Sequence, residues 1–479
     1  MRILPEIALT YDDVLLVPQY SDIVSRKTVS TQTWLTPKIP LQIPIISANM
    51  DTVTESDMAI AMAREGGIGI IHRFMSIQEQ AQQITRVKKA ESYVVDDPIA
   101  LTVESTVADA RRVMEETGTG GILILDGDRR LVGIVTTRDL LFENDNGRPL
   151  TQVMRRPVIT APAHTTLEEA KRLLHEHRIE KLPLVDNQGR VAGLITLKDI
   201  MKIVQFPKAT RDSRGRLAVG AAVGVREKEL QRVEALLAAG ADCIVVDIAH
   251  GDSQMIVNMI RAIKRRFPEA QVIGGNVATA DGTLRLIEAG ADAVKVGVGP
   301  GSICITRLVA GAGVPQLSAV MACAAAARPA GIPIIADGGI RRSGDIVKAL
   351  AAGAATVMIG SLLAGTDESP GLIMTRGGHR YKTSRGMASL QAKAVRKARE
   401  GEGWITQEEI DEYVSEGVEA AVPYRGAVKD VLAQLVGGLR SGMSYCGAHT
   451  IGELQEKAVF VQITPSGWQE SLPHDVEVL

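Results

Sequence analysis

Cys304 sits in "GVGPGSICITRLVAGAG" (297–313), a few residues past a run of glycines. A lone cysteine is either a small buried hydrophobe or a nucleophile, and its neighbourhood decides. Backbone N–H dipoles around a glycine-rich loop lower a thiol's pKa and favour the thiolate that attacks. Thr306, two residues on, can hydrogen-bond to a group leaving or arriving at the attacked carbon. Cys243, early in an apolar run, and Cys323, in an alanine-rich helical stretch, read as buried. The four cysteines, with Cys446, lie far apart without metal-type spacing, so neither a disulfide framework nor a zinc site is indicated. "DGGI" (337–340) and "IGSLLAG" (359–365) supply glycines that let backbone N–H groups approach an anion closely. Ser302, Gly339, Gly360 and Ser361 form the candidate phosphate set, although a glycine at a strand end is also plain turn chemistry. "GVGPGS" is not a dinucleotide fingerprint, because the third glycine is missing and no Rossmann unit surrounds it. His250, in "DIAHGDS", reads as a loop hydrogen-bonding residue, since no partner for acid or base work is visible.

Eight short apolar runs must position these groups: 43–50, 66–72, 217–224, 241–251, 270–277, 291–302, 332–339 and 355–365. Most gaps between them carry apolar residues every three or four positions, the mark of an amphipathic helix. Continuous apolar strands alternating with such helices mean a parallel sheet covered by helices, and eight repeats predict an α/β fold of the (β/α)8 TIM-barrel class. Asn49, Asp247, Asn276, Cys304, Asp337 and Ser361 all fall at or just past the C-terminal end of a run. That is the face on which barrels of this type keep their chemistry.

One gap, between the second and third runs, is far too long for a single helix and repeats itself: "LILDGDRRLVGIVTTRDLL" against "PLVDNQGRVAGLITLKDIM". Asp126 matches Asp186, Gly133 matches Gly193 and Asp139 matches Asp199. The copies resemble CBS domains, so a tandem CBS module is expected over 93–206, inserted between barrel segments 1–92 and 207–479. In that family the T-x-x-D turn, here Thr136 to Asp139 and Thr196 to Asp199, holds an adenosine ribose; the plainer reading of each pair is a helix cap. A further segment, about 388–425, is densely charged at first, carries little core and reads as a mobile cover.

Composition narrows the partners. Of 479 residues 45% are hydrophobic and 23% charged, and the net charge is -2, so no broad basic surface argues for nucleic acid or a membrane. Aromatic residues, at 3%, are too few for base-stacking platforms. The N-terminus has no apolar signal region and no stretch reaches transmembrane length, so a cytoplasmic protein is expected.

Read in order, "LTYDDVLLVP", "ISANMDTVTE", "GIIH", "VVDIAHG", "GGNVAT", "KVGVGPGSICITR", "GVPQLSAV", "IADGGIRRSGDI", "IGSLLAG", "SRGMAS" and "VPYRG" resemble the IMP dehydrogenase and GMP reductase superfamily over essentially the whole chain. The resemblance implies that Cys304 forms a covalent thioimidate at C2 of a purine nucleotide whose phosphate meets Ser302, Gly339, Gly360 and Ser361. It places Asp337 at the ribose, Gly386 and Met387 beside the base, and Asn49 among the substrate contacts. Asp247, Asn276 and Gly297 would face the dinucleotide. The carbonyls of Gly299, Gly301 and Cys304 match a monovalent-cation loop, a potassium site, and Ser384 replaces a usual tyrosine before "RGM". Homotetramers or octamers, with an adenine or guanine nucleotide at the CBS module, are implied in the same way.

The two branches of that superfamily differ in how the intermediate ends. A dehydrogenase hydrolyses it and carries an adjacent arginine and tyrosine on its flap to activate water; a reductase expels ammonia through a threonine and glutamate that match Thr306 and Glu416. Between Met387 and Glu416 there is no Arg-Tyr pair, and Arg380-Tyr381 lies upstream of "RGM". Arg396 and Arg399 are the available substitutes for the flap base, and Thr306 with Glu416 offers a weaker proton path to water. "DIAHG", "MAS" and "EYVSEG" are reductase-like, whereas "SGMSYCGA", the CBS pair and "QESLPHDV" are dehydrogenase-like. The expected activity is therefore GMP reduction with NADPH, the alternative IMP oxidation with NAD. A rival of another class is a nucleotide-sensing regulator with an inactive barrel, against which the intact Cys304, Thr306 and Asp337 argue.

Overall fold

Every one of the eight apolar runs contains a strand in the computed structural model, which describes residues 3, 6–91, 93–400, 403–473, 475 and 476. They are β1 (Ile45–Ser47), β2 (Ile68–Ile71), β3 (Val219–Val223), β4 (Cys243–Asp247), β5 (Gln271–Val277), β6 (Ala293–Val296), β7 (Ile334–Asp337) and β8 (Thr356–Ile359). All pair in parallel in chain order, β8 returns to β1 and β2 to β3, and the barrel closes. Side chains alternate across each strand, so both faces need apolar residues. Ile46, Ile70, Ala222, Val245, Ile335 and Met358 fill the interior, while Ile45, Ile71, Val219, Val246, Ile334 and Val357 meet the surrounding helices. Fully burying one such aliphatic side chain contributes about 1.5–3 kcal/mol. Leu35, Ile39 and Leu41, on the hairpin formed by Thr33–Thr36 and Ile39–Leu41, join the interior cluster. Cys243 belongs to that interior, and Cys323 and Cys446 are buried too, as small hydrophobes.

The chain divides into two compact units, 1–90 with 208–212 and 217–479, and 91–207 with 213–216. The expected module boundary, 93–206, therefore omits a short return segment that local contacts tie to the inserted unit: Arg214 pairs with Asp96 at 2.8 Å. Within that unit the repeat is visible in space. Gly121–Leu125 pairs antiparallel with Leu131–Thr136, and Lys181–Val185 with Val191–Thr196. Asp126 and Asp186 each accept two backbone N–H bonds in the hairpin turn. The turns pair with one another at Arg130 and Arg190. Gly133 and Gly193 recur because a Cβ would strike Met154 at 2.3 Å and Val94 at 2.8 Å respectively.

The expected cover holds regular secondary structure. Its first part holds helices Leu390–Arg399 and Gln407–Asp411; residues 401 and 402 lie outside the described residues, as does 474 in "QESLPHDV". Its tail is a strand: β9 (Ile373–Arg376), β10 (His379–Arg385) and β11 (Glu419–Pro423) form one antiparallel sheet. Five residues ending in proline give almost no strand signal, and the pairing partner lies far back in sequence. Arg380, on β10, stacks over Tyr424 at 4.1 Å rather than reaching a reaction centre.

Candidate active site

The loop after β6 carries Cys304, half-buried, to the C-terminal face of the barrel. Its Sγ lies 3.2 Å from Thr306 Oγ1, which in turn donates to Glu416 Oε2 at 2.8 Å. The Cys304 loop is knitted to the end of the cover by backbone bonds. Ile305 N–H donates to Glu416 O (2.9 Å) and Val418 N–H to Ile303 O (3.0 Å), with Cys304 bridging Gly417. Gly386 continues this layer through a bond to Val418 O (3.0 Å), and a Cβ there would lie 2.9 Å from Gly417 Cα, so only glycine fits. Met387 follows it, half-buried. By contrast, burial pushes the Cys243 and Cys446 thiols up, and that of Cys323 up to about 11. His250 is exposed on the loop after β4.

Beside the cysteine loop opens a cavity of about 300 Å³ whose lining includes Ser302, Asp337, Gly339, Gly360 and Ser361, together with Tyr11. The expected phosphate set thus shares one cavity. Gly338 and Gly339 take φ of +95° and +81°, a left-handed conformation that favours glycine and keeps the backbone bare of side chains. Asp12 and Arg341, paired at 2.6 Å, stand at the same wall. Ser384, on β10, is buried with its hydroxyl unpartnered among the described residues.

The expected dinucleotide residues are organised by a side chain that sequence reasoning missed. Lys295 Nζ, 3% exposed, pairs with Asp247 Oδ1 at 2.8 Å and Asp337 Oδ2 at 2.7 Å, and also reaches Asn276 Oδ1. Asn276 Nδ2 donates to Asp337 Oδ2 (2.9 Å) and to Gly297 O (2.8 Å), and the Asn49 side chain hydrogen-bonds Asp247. Burial opposes charge on Lys295, but Asp247 and Asp337 outweigh it and its pKa is raised. Asp247 is the mirror case: burial would raise its carboxyl, yet Lys295 and Arg73 bring it below the usual range. Gly297 allows the close approach, since a Cβ would lie 2.0 Å from Asp337 O. A signal for Lys295 was present: a charged residue inside the otherwise apolar run "ADAVKVGV" requires buried acids opposite it.

In the cation loop, Gly301 O already accepts from Cys304 N–H at 3.1 Å, while Arg307 Nε donates to Val298 O at 3.1 Å. Among the described residues no cluster of acidic, histidine or cysteine side chains could hold a metal. No helix among them is long and apolar enough to cross a membrane. In the inserted unit, the T-x-x-D turns make helix caps: Thr136 Oγ1 donates to Asp139 Oδ2 at 2.6 Å, and Thr196 Oγ1 to Asp199 Oδ2 at 2.5 Å.

A closed parallel barrel with a half-buried cysteine, a hydroxyl–carboxylate chain and a glycine-lined cavity defines a nucleotide-handling barrel enzyme. The family described as "IMP dehydrogenase / GMP reductase domain" matches residues 8–474, and the chain belongs to it as a purine nucleotide oxidoreductase. It is 55% identical to the inosine-5'-monophosphate dehydrogenase of Nitrosopumilus maritimus, over 98% of both chains. To that of Bacillus subtilis it is 51% identical, over 98% of this chain and 96% of the relative. Among solved structures it resembles a cysteine-to-alanine variant of GMP reductase from Trypanosoma brucei in complex with guanosine 5'-monophosphate. That likeness has a TM-score of 0.86 and 46% identity, and covers 98% of each chain.

Proposed function

We propose that Cys304 attacks C2 of a purine nucleotide and that the enzyme is a GMP reductase: GMP + NADPH + 2H⁺ → IMP + NADP⁺ + NH₄⁺. The observation that carries this reading is the chain from Cys304 through Thr306 to Glu416 beside a flap that has no Arg-Tyr pair between Met387 and Glu416. A thiolate adding at C2 converts that carbon to a tetrahedral centre, and the departing 2-amino group needs a proton. Thr306, whose hydroxyl donates to the Glu416 carboxylate here, would hand its proton to the leaving nitrogen and regain one from Glu416 once that carboxyl is protonated, without any activated water. Loss of ammonia leaves the thioimidate. NADPH, when bound, supplies the hydride to C2, after which the sulfur leaves as thiolate and IMP is released. The role of Asp247, Asn276 and Gly297 is to orient the nicotinamide end. Asp247 fits it, being held ionised while a quarter of its side chain stays open. Ser302, Gly339, Gly360 and Ser361 hold the phosphate, Asp337 the ribose, and Gly386, Met387 and Asn49 complete the substrate site. The Gly299, Gly301 and Cys304 carbonyls suit potassium, which would brace the loop.

A second reading, IMP dehydrogenase using NAD, is favoured by the names of the relatives at 51–55% identity. Identity over the whole chain weighs mainly the fold, which both chemistries share, whereas the groups that would touch the reacting water are few. Here the substitutes for a flap base are engaged elsewhere: Arg396 lies over Phe74 at 5.8 Å and Arg399 faces Glu55 at 3.7 Å. Tyr413 donates its hydroxyl to Ala388 O at 3.0 Å. Purified protein assayed with GMP and NADPH, and with IMP and NAD, separates the two readings.

The inserted unit is proposed to be a tandem CBS module. Thr136, Arg138, Arg155, Arg178 and Lys181 line a cavity of about 340 Å³ whose cations suit the phosphates of an adenine or guanine nucleotide. Binding there would tune activity or the assembly of a tetramer or octamer; unchanged kinetics and sedimentation with ATP and GTP would dispose of it.

A further inference from the structure

Tyr11 forms part of the wall of the substrate cavity, yet only 2% of it is exposed and its hydroxyl has no hydrogen-bond partner among the described residues. Native structures seldom leave a buried hydroxyl unpaired, because its desolvation then goes uncompensated. The ring edge packs on Gly339: a Cβ there would lie 3.2 Å from Tyr11 Cε2. The phenol and the bare backbone of the glycine turn therefore belong to one wall. The segment around it is fixed on three sides. Lys348 Nζ donates to Tyr11 O at 2.8 Å, Arg341 holds Asp12 at 2.6 Å, and Thr10 and Asp13 cap each other. Burial, then the nearby Asp345 and Asp337 carboxylates, push the phenol's pKa up, so it remains a protonated donor.

We infer that the Tyr11 hydroxyl is a hydrogen-bond donor to the phosphate monoester of the bound nucleotide. This rests on the substrate reading above, and it assigns Tyr11 to binding, not to the chemical step. With no protein partner among the described residues, the neutral phenol is available to donate to a phosphate oxygen.

The test is Tyr11→Phe in the full-length enzyme, with wild type beside it. A hydrogen bond to a charged group is worth roughly tenfold or more in affinity. KM for the nucleotide that wild type turns over should rise by about that factor, with kcat within about twofold. The inhibition constant of ribose 5-phosphate should rise in parallel, and that of the phosphate-free nucleoside should not. The ligand-free variant should melt no lower than wild type, because it loses only an unpaired polar atom. Unchanged KM and unchanged ribose 5-phosphate inhibition would overturn the inference, as would an equal loss for the nucleoside. If wild type itself binds neither IMP nor GMP, the substrate reading fails and this inference falls with it.

Discussion

Thr306 donates to Glu416 at 2.8 Å although the two lie 110 positions apart. The bond exists because the end of the cover pairs its backbone with the Cys304 loop, so the proton donor and the nucleophile are delivered by separate segments to one point. Glu416→Gln keeps the shape and an acceptor oxygen for Thr306 but removes the group that can take up and return a proton. Steady-state kcat should fall by about 10²-fold or more, with KM for the nucleotide little changed; kcat within threefold of wild type would show that the carboxylate moves no proton.

Cys304 is the only one of the four cysteines that is not buried. Brief alkylation of the native enzyme should label Cys304 alone, and saturating nucleotide should protect it. Intact-mass spectrometry after mixing with substrate should show an adduct at this position. Labelling of Cys323 or Cys446 at a comparable rate would contradict the packing described here.

Lys295 holds two carboxylates in the barrel mouth, and removing one partner of a buried pair leaves uncompensated charge. Lys295→Met should cost about 3 kcal/mol in chemical denaturation and weaken dinucleotide binding. The lowered pKa of Asp247 gives stability that is present above its unfolded value and is lost as pH falls through the folded one. The raised pKa of Lys295 gives stability that is full below its unfolded value and is lost as pH climbs through the folded one. Both windows lie outside pH 5–9, so the cluster's contribution to wild-type stability should be flat across that range, whereas in Lys295→Met the stranded carboxyls take up protons as pH falls and the deficit should shrink. A steep change in wild type within that range would show that the cluster is not ionised as drawn.

Much of this was legible in the sequence for a simple reason. Strands buried on both faces must be continuous apolar runs, so all eight barrel strands announce themselves, and their polar ends mark the working face. Cys304, Thr306 and the glycines stand within short contiguous motifs. What stayed hidden depends on contacts between distant positions: Lys295 with Asp247 and Asp337, Tyr11 with Gly339, and the β11 strand whose partner is β10. The Thr136–Asp139 pair shows the opposite hazard, since a ligand-type motif and a helix cap use the same two side chains.

The lid arginines bear on the choice between the two activities. Arg396→Ala and Arg399→Ala should each change kcat by less than about tenfold, because in this account neither abstracts a proton in the chemical step. A loss approaching that of a general base, about 10³-fold, would mean that one of them leaves Phe74 or Glu55 during turnover to deprotonate water.

The most direct measurement is absorbance at the reduced-nicotinamide band with both substrate pairs on one preparation. NADPH should be consumed on adding GMP, with ammonia and IMP formed in equal amounts and no comparable rate from IMP with NAD. Production of NADH from IMP and NAD at ordinary enzymatic rates, with GMP inert, would contradict the reductase reading and make the dehydrogenase reading the right one.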